Sequence, residues 1–84
     1  MKVHFIGIGG IGLSALARFL NFDGHEVSGS DMKSSLITKA LEDEGIKVFC
    51  PQSETNIKDD FDLVIYSAAV TEENPELIEL DLNK

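Results

Sequence analysis

The feature that most restricts the fold of this chain is a glycine-rich segment near its start, Gly7-Ile8-Gly9-Gly10-Ile11-Gly12. A continuous apolar, β-rich run over residues 2–8 leads into it, and a helical pattern over residues 11–22 follows it. Such an apolar run is typical of a strand that is covered on both faces, as in a parallel sheet. The segment therefore predicts a strand, a tight turn and a helix, the repeating unit of α/β folds.

The rest of the chain continues this alternation. We predict strands at 26–30, 46–49 and 62–66, a helix from Ser34 or Ser35 to about Glu44, a polar loop with room for one short turn at 50–60, and a last helix beginning at Asn74-Pro75. This order predicts one small α/β domain over residues 1–84, a Rossmann-like doubly wound parallel sheet in three α/β/α layers. Because such a domain ordinarily adds another strand after the last helix, we expect a piece of a longer protein.

The helix over 11–22 carries two apolar stripes at helical spacing. One consists of Leu13, Leu16, Ala17 and Leu20, and the other of Ile11, Ala15, Phe19 and Phe22. A single stripe is enough to cover one sheet. The second stripe therefore predicts that neighbouring elements flank this helix.

The net charge of −8 argues against nucleic acid as a partner, because phosphate backbones require clustered Lys and Arg. It does not exclude a small phosphate ligand, since backbone N–H groups at a helix start bind anions without basic side chains. No apolar run approaches the roughly 20 residues needed to cross a bilayer, and the start carries no signal-peptide pattern. The single cysteine, Cys50, forms no internal disulfide. We therefore expect a cytoplasmic domain with no membrane partner.

The glycine segment fits G-x-G-x-x-G in the right context, because an acidic residue, Asp31, ends the next strand about 20 positions on. Gly7 would allow the tight turn, Gly9 and Gly10 would let a ligand approach the backbone, and Gly12 would permit close packing of helix on strand. Free N–H groups at the helix start, through Leu13, would bind a diphosphate. The alternative is that the glycines serve only the turn.

Two further residues are candidates for the same site. The Asp31 carboxylate could accept hydrogen bonds from ribose hydroxyls or a base, or could instead cap a helix or turn near Met32 to Ser34. Ser67 directly follows the fourth strand. If the first and fourth strands are neighbours at the point where the strand order reverses, Ser67 and Ala68-Ala69 line the same crevice as the glycine segment. Otherwise Ser67 belongs to a plain surface turn.

The remaining polar residues point to no chemistry. We expect His4 to be a hydrogen-bonded core or edge residue, His25 to be exposed, and Cys50 to be half-buried and unreactive. No His, Cys or acidic cluster has metal-ligand spacing, and the chain contains no G-x-x-x-x-G-K-[ST] loop for ATP. We therefore assign no catalytic residue and no metal ligand to this chain.

Three segments together resemble a known family. The runs from His4 to Ala17 and from Gly24 to Asp31, and Asn74-Pro75-Glu76 after the strand end Tyr66 to Val70, are similar to the opening of the UDP-N-acetylmuramate–L-alanine ligases, which belong to the Mur ligase family. The resemblance spans essentially all 84 residues. It implies an enzyme of peptidoglycan precursor synthesis in the cytoplasm that uses ATP and magnesium to join L-alanine to UDP-N-acetylmuramate.

In such ligases the first of three domains holds the UDP part of the substrate, the central domain brings the ATP loop, and the last completes the active site. The resemblance therefore implies that this chain is the N-terminal UDP-binding domain, without ATP or magnesium of its own, and that alone it binds but does not catalyse. By position, the binding residues would be Gly9, Gly10, Ile11, Gly12 and Leu13 at the diphosphate, with Ser30, Asp31 and Ser67 near the uridine or its phosphates.

The chain departs from the family pattern at two positions. Gln52 stands where the family often has His, and Ala68 stands where a second serine is common; both changes bear on uridine-side contacts. Relatives that attach whole tripeptides usually carry a Cys near the second glycine, so the Gly9–Gly12 segment disfavours them, and D-glutamate ligases fit the run from Val27 to Asp31 less well. Two alternatives stay open: an NAD(H)-binding domain of a dehydrogenase or regulatory protein, and an interaction module without a ligand.

Overall fold

The computed structural model describes residues 1–82 of the chain. Its elements follow the predicted order: β1 Lys2–Ile6, α1 Ile11–Phe22, β2 Glu26–Ser30, α2 Leu36–Asp43, β3 Lys47–Phe49, a short 3₁₀ turn Glu54–Asn56, β4 Leu63–Tyr66 and α3 Pro75–Leu82. None of the helices in this part of the chain has the length and apolar character needed to cross a membrane.

The four strands form one parallel sheet in the order β3-β2-β1-β4. This confirms the predicted Rossmann-like α/β class. Three strands are shorter than the sequence predicts. The largest difference in length is in β1, which the sequence predicts to reach residue 8. It ends at Ile6 because Gly7 turns the chain with φ +88°, a conformation that favours glycine. Ile8, predicted as part of the strand, is nevertheless fully buried in the core.

The pleat sends alternate residues of β1 into two different layers. Val3 and Phe5 point to the face covered by α1 and α2, where they join the main apolar cluster. His4 points to the opposite face, where it contacts Glu76 of α3. Helices on one face and α3 with the loop after β3 on the other give the three-layer arrangement.

The two later helices begin with the side-chain caps that their sequences favour. The hydroxyl of Ser35 accepts from the N–H of Thr38, and the Thr38 hydroxyl accepts from the N–H of Ser35, a reciprocal capping box. Before α3, the side-chain oxygen of Asn74 accepts from the N–H of Glu76 at 2.9 Å. Helix α1 differs, because its first turn follows Gly10 and has no side-chain cap.

Three expectations about exposure are wrong, and one of them concerns His25, which is half-buried and not exposed. The second stripe of α1 is not covered by neighbours, since Ile11, Phe19 and Phe22 are 84%, 63% and 94% exposed. Within residues 1–82, α1 packs beside α2 on this face; of its first stripe Ala17 is buried and Leu13 and Leu20 are half-buried, whereas Leu16 is exposed. Cys50 is exposed rather than half-buried, because it lies just beyond the end of the short edge strand β3.

Candidate functional site

A cleft of about 430 Å³ lies at the carboxyl ends of β1 and β4. These strands are neighbours, and the strand order reverses here: the chain runs outward through β2 and β3 and then returns to the other side of β1. This is where open α/β sheets bind ligands. The cleft is lined by Gly7, Gly9, Gly10, Asp31, Met32, Gln52, Ser67, Ala69, Val70, Thr71 and Asn74.

The glycine segment is tied to the neighbouring strand by its own backbone. The N–H groups of Gly7 and Ile8 both donate to the carbonyl of Ser30, at 2.8 and 2.9 Å, and the N–H of Gly10 donates to the carbonyl of Gly7 at 3.1 Å. These bonds hold the turn in one shape against the end of β2. The loop is therefore preorganised before any ligand arrives.

The amide groups of the segment divide into two sets. Those of Gly7 to Gly10 have acceptors within the protein, including the Asp31 carboxylate for Gly9 at 2.8 Å. In the part of the chain that the structure describes, the N–H groups of Ile11, Gly12 and Leu13, the first turn of α1, have no acceptor. Uncapped first-turn amides together with the helix dipole favour an anion.

Asp31 lies between the cleft and the glycine segment. Its Oδ2 accepts from the N–H of Gly9 and its Oδ1 accepts from the N–H of Met32, both at 2.8 Å. The carboxylate thus caps the turn at Met32, which is one of its two predicted roles. It also lines the cleft, where it could accept hydrogen bonds from a nucleoside. Its negative charge on this wall favours hydroxyl or amide donors over phosphate oxygens.

The role predicted for Gly12 is wrong. A Cβ at Gly12 would have no atom within 4 Å, so no strand packs closely against it. The close approach is at Gly9 instead, where a Cβ would lie 2.7 Å from Asp31 Oδ2 and 3.2 Å from Thr38 Cγ2. The spacing G-x-G-x-x-G does not show which of its glycines is crowded, because that depends on Asp31 and on α2.

The wall opposite the glycine segment is formed by polar side chains that hydrogen-bond to each other. The Nδ2 group of Asn74 donates to Oε1 of Gln52 at 2.8 Å. Ser67 lies beside them in the cleft lining, and its hydroxyl accepts from the N–H of Ala69 at 3.3 Å. The structure thus brings Ser67 to the glycine segment, as expected if β1 and β4 are neighbours.

Ser30, unlike Asp31 and Ser67, does not line the cleft. Its side chain is fully buried and its hydroxyl donates to Oε1 of Glu76 at 2.8 Å, on the face of the sheet that carries α3. Ile11, Gly12 and Leu13 also lie outside the cleft lining, so their contribution would come from backbone N–H groups alone.

The sequence did not identify Glu76 as the centre of a buried hydrogen-bond network. It is fully buried, and its carboxylate accepts four hydrogen bonds, from His4, Ser30, Ser53 and Asn56. Burial by itself raises the pKa of this carboxyl, but the hydrogen bonds outweigh it, so that the pKa lies below its usual value. The cap signal Asn74-Pro75 and the family resemblance of Asn74-Pro75-Glu76 both point to this segment, but neither says where the glutamate side chain goes.

His4 is a hydrogen-bonded core residue, as predicted. Its Nε2 donates to Glu76 at 2.7 Å, its Nδ1 is hydrogen-bonded to the Ser28 hydroxyl at 2.8 Å, and its ring stacks on Phe61 with centroids 4.7 Å apart. His25 is half-buried and its Nδ1 lies 3.1 Å from the N-terminal amine.

No nucleophile or metal site emerges from this geometry. Desolvation, and next to it the charge of Asp31, raises the pKa of the Cys50 thiol, which opposes thiolate formation. Within residues 1–82 no group of three or more His, Cys, Asp or Glu side chains is arranged to hold a metal ion. The sequence also lacks the G-x-x-x-x-G-K-[ST] loop that holds the phosphates of ATP.

The fold and the cleft together define a Rossmann-like α/β domain with a glycine-rich βα turn at the reversal of its strand order. The family model described as Mur ligase family, catalytic domain, matches residues 2–84, and the chain belongs to this family.

Curated relatives and solved structures agree with this membership. The chain is 65% identical over 75 residues to a UDP-N-acetylmuramate–L-alanine ligase of Campylobacter jejuni, covering 89% of the chain and 17% of the relative. It is 55% identical over 83 residues to the enzyme of that name from Clostridium kluyveri, covering 98% and 18%. The UDP-N-acetylmuramate–alanine ligase structure from Thermotoga maritima superposes with a TM-score of 0.92 at 42% identity, covering 99% of this chain and 19% of that one.

A second kind of ligase in the family is also similar. The structure of a UDP-N-acetylmuramate:L-alanyl-γ-D-glutamyl-meso-diaminopimelate ligase from Neisseria meningitides has a TM-score of 0.80 at 30% identity, over 98% of this chain and 26% of that one. The chain thus spans less than a fifth of the length of the alanine ligases that it matches.

Proposed function

We propose that this chain is the N-terminal domain of a longer ligase and holds the UDP part of UDP-N-acetylmuramate in its cleft. The main support for this proposal is that the backbone N–H groups of Ile11, Gly12 and Leu13 are uncapped and directly follow Gly10 at the edge of the cleft. In the proposed complex the diphosphate accepts from these amides, and the uridine lies toward Asp31 and the Gln52–Asn74 wall. The backbone supplies the anion site, so a net charge of −8 does not oppose it.

The proposed reaction belongs to the whole ligase. It joins L-alanine to UDP-N-acetylmuramate, as the names of the similar alanine ligases indicate for those proteins. The use of ATP and the place in cytoplasmic peptidoglycan precursor synthesis are what the family resemblance implies. Because the sequence contains no G-x-x-x-x-G-K-[ST] loop, the proposal assigns ATP, and magnesium with it, to the remaining domains. This chain would then bind substrate without catalysing the reaction.

The identities favour an alanine ligase over a tripeptide ligase. The alanine ligases named above are 42% to 65% identical to this chain, whereas the tripeptide ligase is 30% identical. The Gly9–Gly12 segment, which lacks the cysteine usual in tripeptide ligases, points the same way.

An amide chemical-shift titration of this chain tests the proposal, with UDP-N-acetylmuramate in one series and NAD in the other. We expect UDP-N-acetylmuramate alone to shift the resonances of Ile11 to Leu13, Asp31 and Ser67. A response to NAD alone would favour the dehydrogenase-like alternative, in which Asp31 binds the adenosine ribose. Saturating UDP-N-acetylmuramate without any shift would overturn the proposal for this chain.

A further inference from the structure

The buried carboxylate of Glu76 connects the sheet to the loop after β3. Its Oε1 faces the sheet, where it accepts from His4 Nε2 at 2.7 Å and from the Ser30 hydroxyl at 2.8 Å. Its Oε2 faces the loop, where it accepts from the N–H of Ser53 at 3.1 Å and from Asn56 Nδ2 at 3.0 Å. Each oxygen therefore serves a different part of the chain.

The loop side of this network continues directly into the cleft. Ser53 follows Gln52, whose side chain lines the cleft and accepts from Asn74. Asn74 is bonded to the backbone of α3 and not to the carboxylate, because its Oδ1 accepts from the Glu76 N–H at 2.9 Å. The carboxylate therefore reaches the polar wall through Ser53, the neighbour of Gln52, and Gln52 in turn accepts from Asn74.

Packing alone does not explain a carboxylate in this place. A buried carboxylate costs several kcal/mol of desolvation unless donors compensate it, and an apolar side chain of similar volume avoids that cost. The four hydrogen bonds to the carboxylate also fix geometry, because each holds a backbone or side-chain donor at a defined position relative to the others. The positions fixed on the Oε2 side are those of Asn56 and of Ser53, which directly follows Gln52 of the cleft wall.

We propose that Glu76 is a positioning residue for the cleft, holding the Gln52–Asn74 wall at a set distance from the glycine segment. This rests on the proposed function, because it takes UDP-N-acetylmuramate as the ligand of that wall. Because the wall is already ordered in the free protein, ligand binding does not incur the entropy cost of ordering it.

Two matched variants separate positioning from stability. Asn56→Ala removes a donor on the loop side of the network, and Ser28→Ala removes the hydroxyl that bonds His4 on the sheet side, away from the cleft. Each is made in the wild-type chain and in a Gln52→Ala background. The measurements are the melting temperature, the Kd for UDP-N-acetylmuramate, and the nuclear Overhauser effects between the Gln52 and Asn74 side chains in the free protein.

We expect both variants to lower the melting temperature. Asn56→Ala should also weaken binding about ten-fold, the equivalent of one hydrogen bond, and lose the Gln52–Asn74 Overhauser effects. It should cause no further loss in the Gln52→Ala background, while Ser28→Ala leaves Kd unchanged in both. Equal losses of affinity in both backgrounds would overturn the positioning role.

The free-protein measurement keeps this proposal separate from the proposed function. If the wild-type chain does not bind UDP-N-acetylmuramate, the proposed function fails. The positioning role is then decided by the Overhauser effects: their loss in Asn56→Ala but not in Ser28→Ala supports it, and their persistence in Asn56→Ala overturns it.

Discussion

The carboxylate of Asp31 accepts a hydrogen bond from the backbone N–H of Gly9 at 2.8 Å. This bond joins the end of β2 to the turn after β1 and occupies the amide that the glycine pattern first suggests for a phosphate. An anion entering the cleft therefore finds its free donors one residue beyond Gly10, on the first turn of α1. The acidic residue of the pattern shapes the loop as well as facing the ligand.

Replacement of Asp31 separates these two roles. Asp31→Ala should weaken UDP-N-acetylmuramate binding by about 1–3 kcal/mol, because ligand donors and the Gly9 amide both lose their acceptor. Asp31→Asn keeps an acceptor for Gly9 and should lose less. Isothermal titration calorimetry of both variants measures the difference. Unchanged or tighter binding by Asp31→Ala would mean that the carboxylate repels the phosphates more than it helps the nucleoside.

A side chain at Gly10 tests where the diphosphate lies. A Cβ there would be 3.4 Å from the Gly7 carbonyl, an ordinary contact, so the fold should tolerate Gly10→Val. The branched side chain would project into the cleft beside the first-turn amides, and binding of UDP should fall below detection while the circular dichroism spectrum stays that of the wild type. Retained UDP affinity in a folded Gly10→Val chain would place the diphosphate elsewhere.

Two glycines of the same segment should respond oppositely to alanine. Gly9→Ala puts a Cβ 2.7 Å from Asp31 Oδ2 and should lower the free energy of unfolding by about 1–3 kcal/mol. Gly12→Ala adds a methyl group in open space within a helix and should raise it by about 0.5–1 kcal/mol. Urea denaturation of both variants checks this. Destabilisation by Gly12→Ala would restore the close-packing role rejected above.

The sequence could predict what local patterns determine. The strand, glycine turn and helix at the start, and the order of elements along the chain, follow from periodicity and turn residues. The pairing of β1 with β4 does not follow from them, and the predicted role of Ser67 is conditional on it. The network around Glu76 could not be predicted, because it brings together residues up to 72 positions apart. Gly12 illustrates the same limit, since the space around a glycine depends on which elements pack nearby.

The prediction that neighbours cover the second stripe of α1 fails for a similar reason, because periodicity shows which residues share a face and not what covers that face. Phe22 is 94% exposed, whereas Leu41 of α2 is fully buried in the main cluster. Phe22→Ala should therefore change the free energy of unfolding by less than about 0.5 kcal/mol, and Leu41→Ala should lower it by about 2–5 kcal/mol. Urea denaturation measures both. A large loss in Phe22→Ala would show that the second stripe is covered in solution.

The acid stability of the domain should depend on Glu76. Burial raises the pKa of this carboxyl, and hydrogen bonds led by that from His4 lower it further than burial raises it, so the folded-state pKa lies below the unfolded value of about 4.3. A depressed folded-state pKa contributes stability that is fully present above the unfolded pKa. That contribution is lost as pH falls through the folded-state pKa.

Glu76→Gln removes this contribution, so its effect should be largest near neutral pH and shrink in acid. At pH 7 the variant should lose about 1–3 kcal/mol of unfolding free energy, because one amide oxygen replaces two carboxylate oxygens facing four donors. Below about pH 4 its curve should approach that of the wild type. Glu72→Gln, at an exposed position, is the matched control and should follow the wild type throughout. Urea denaturation at a series of pH values measures this, and a pH-independent offset for Glu76→Gln would show that Glu76 contributes shape and not charge.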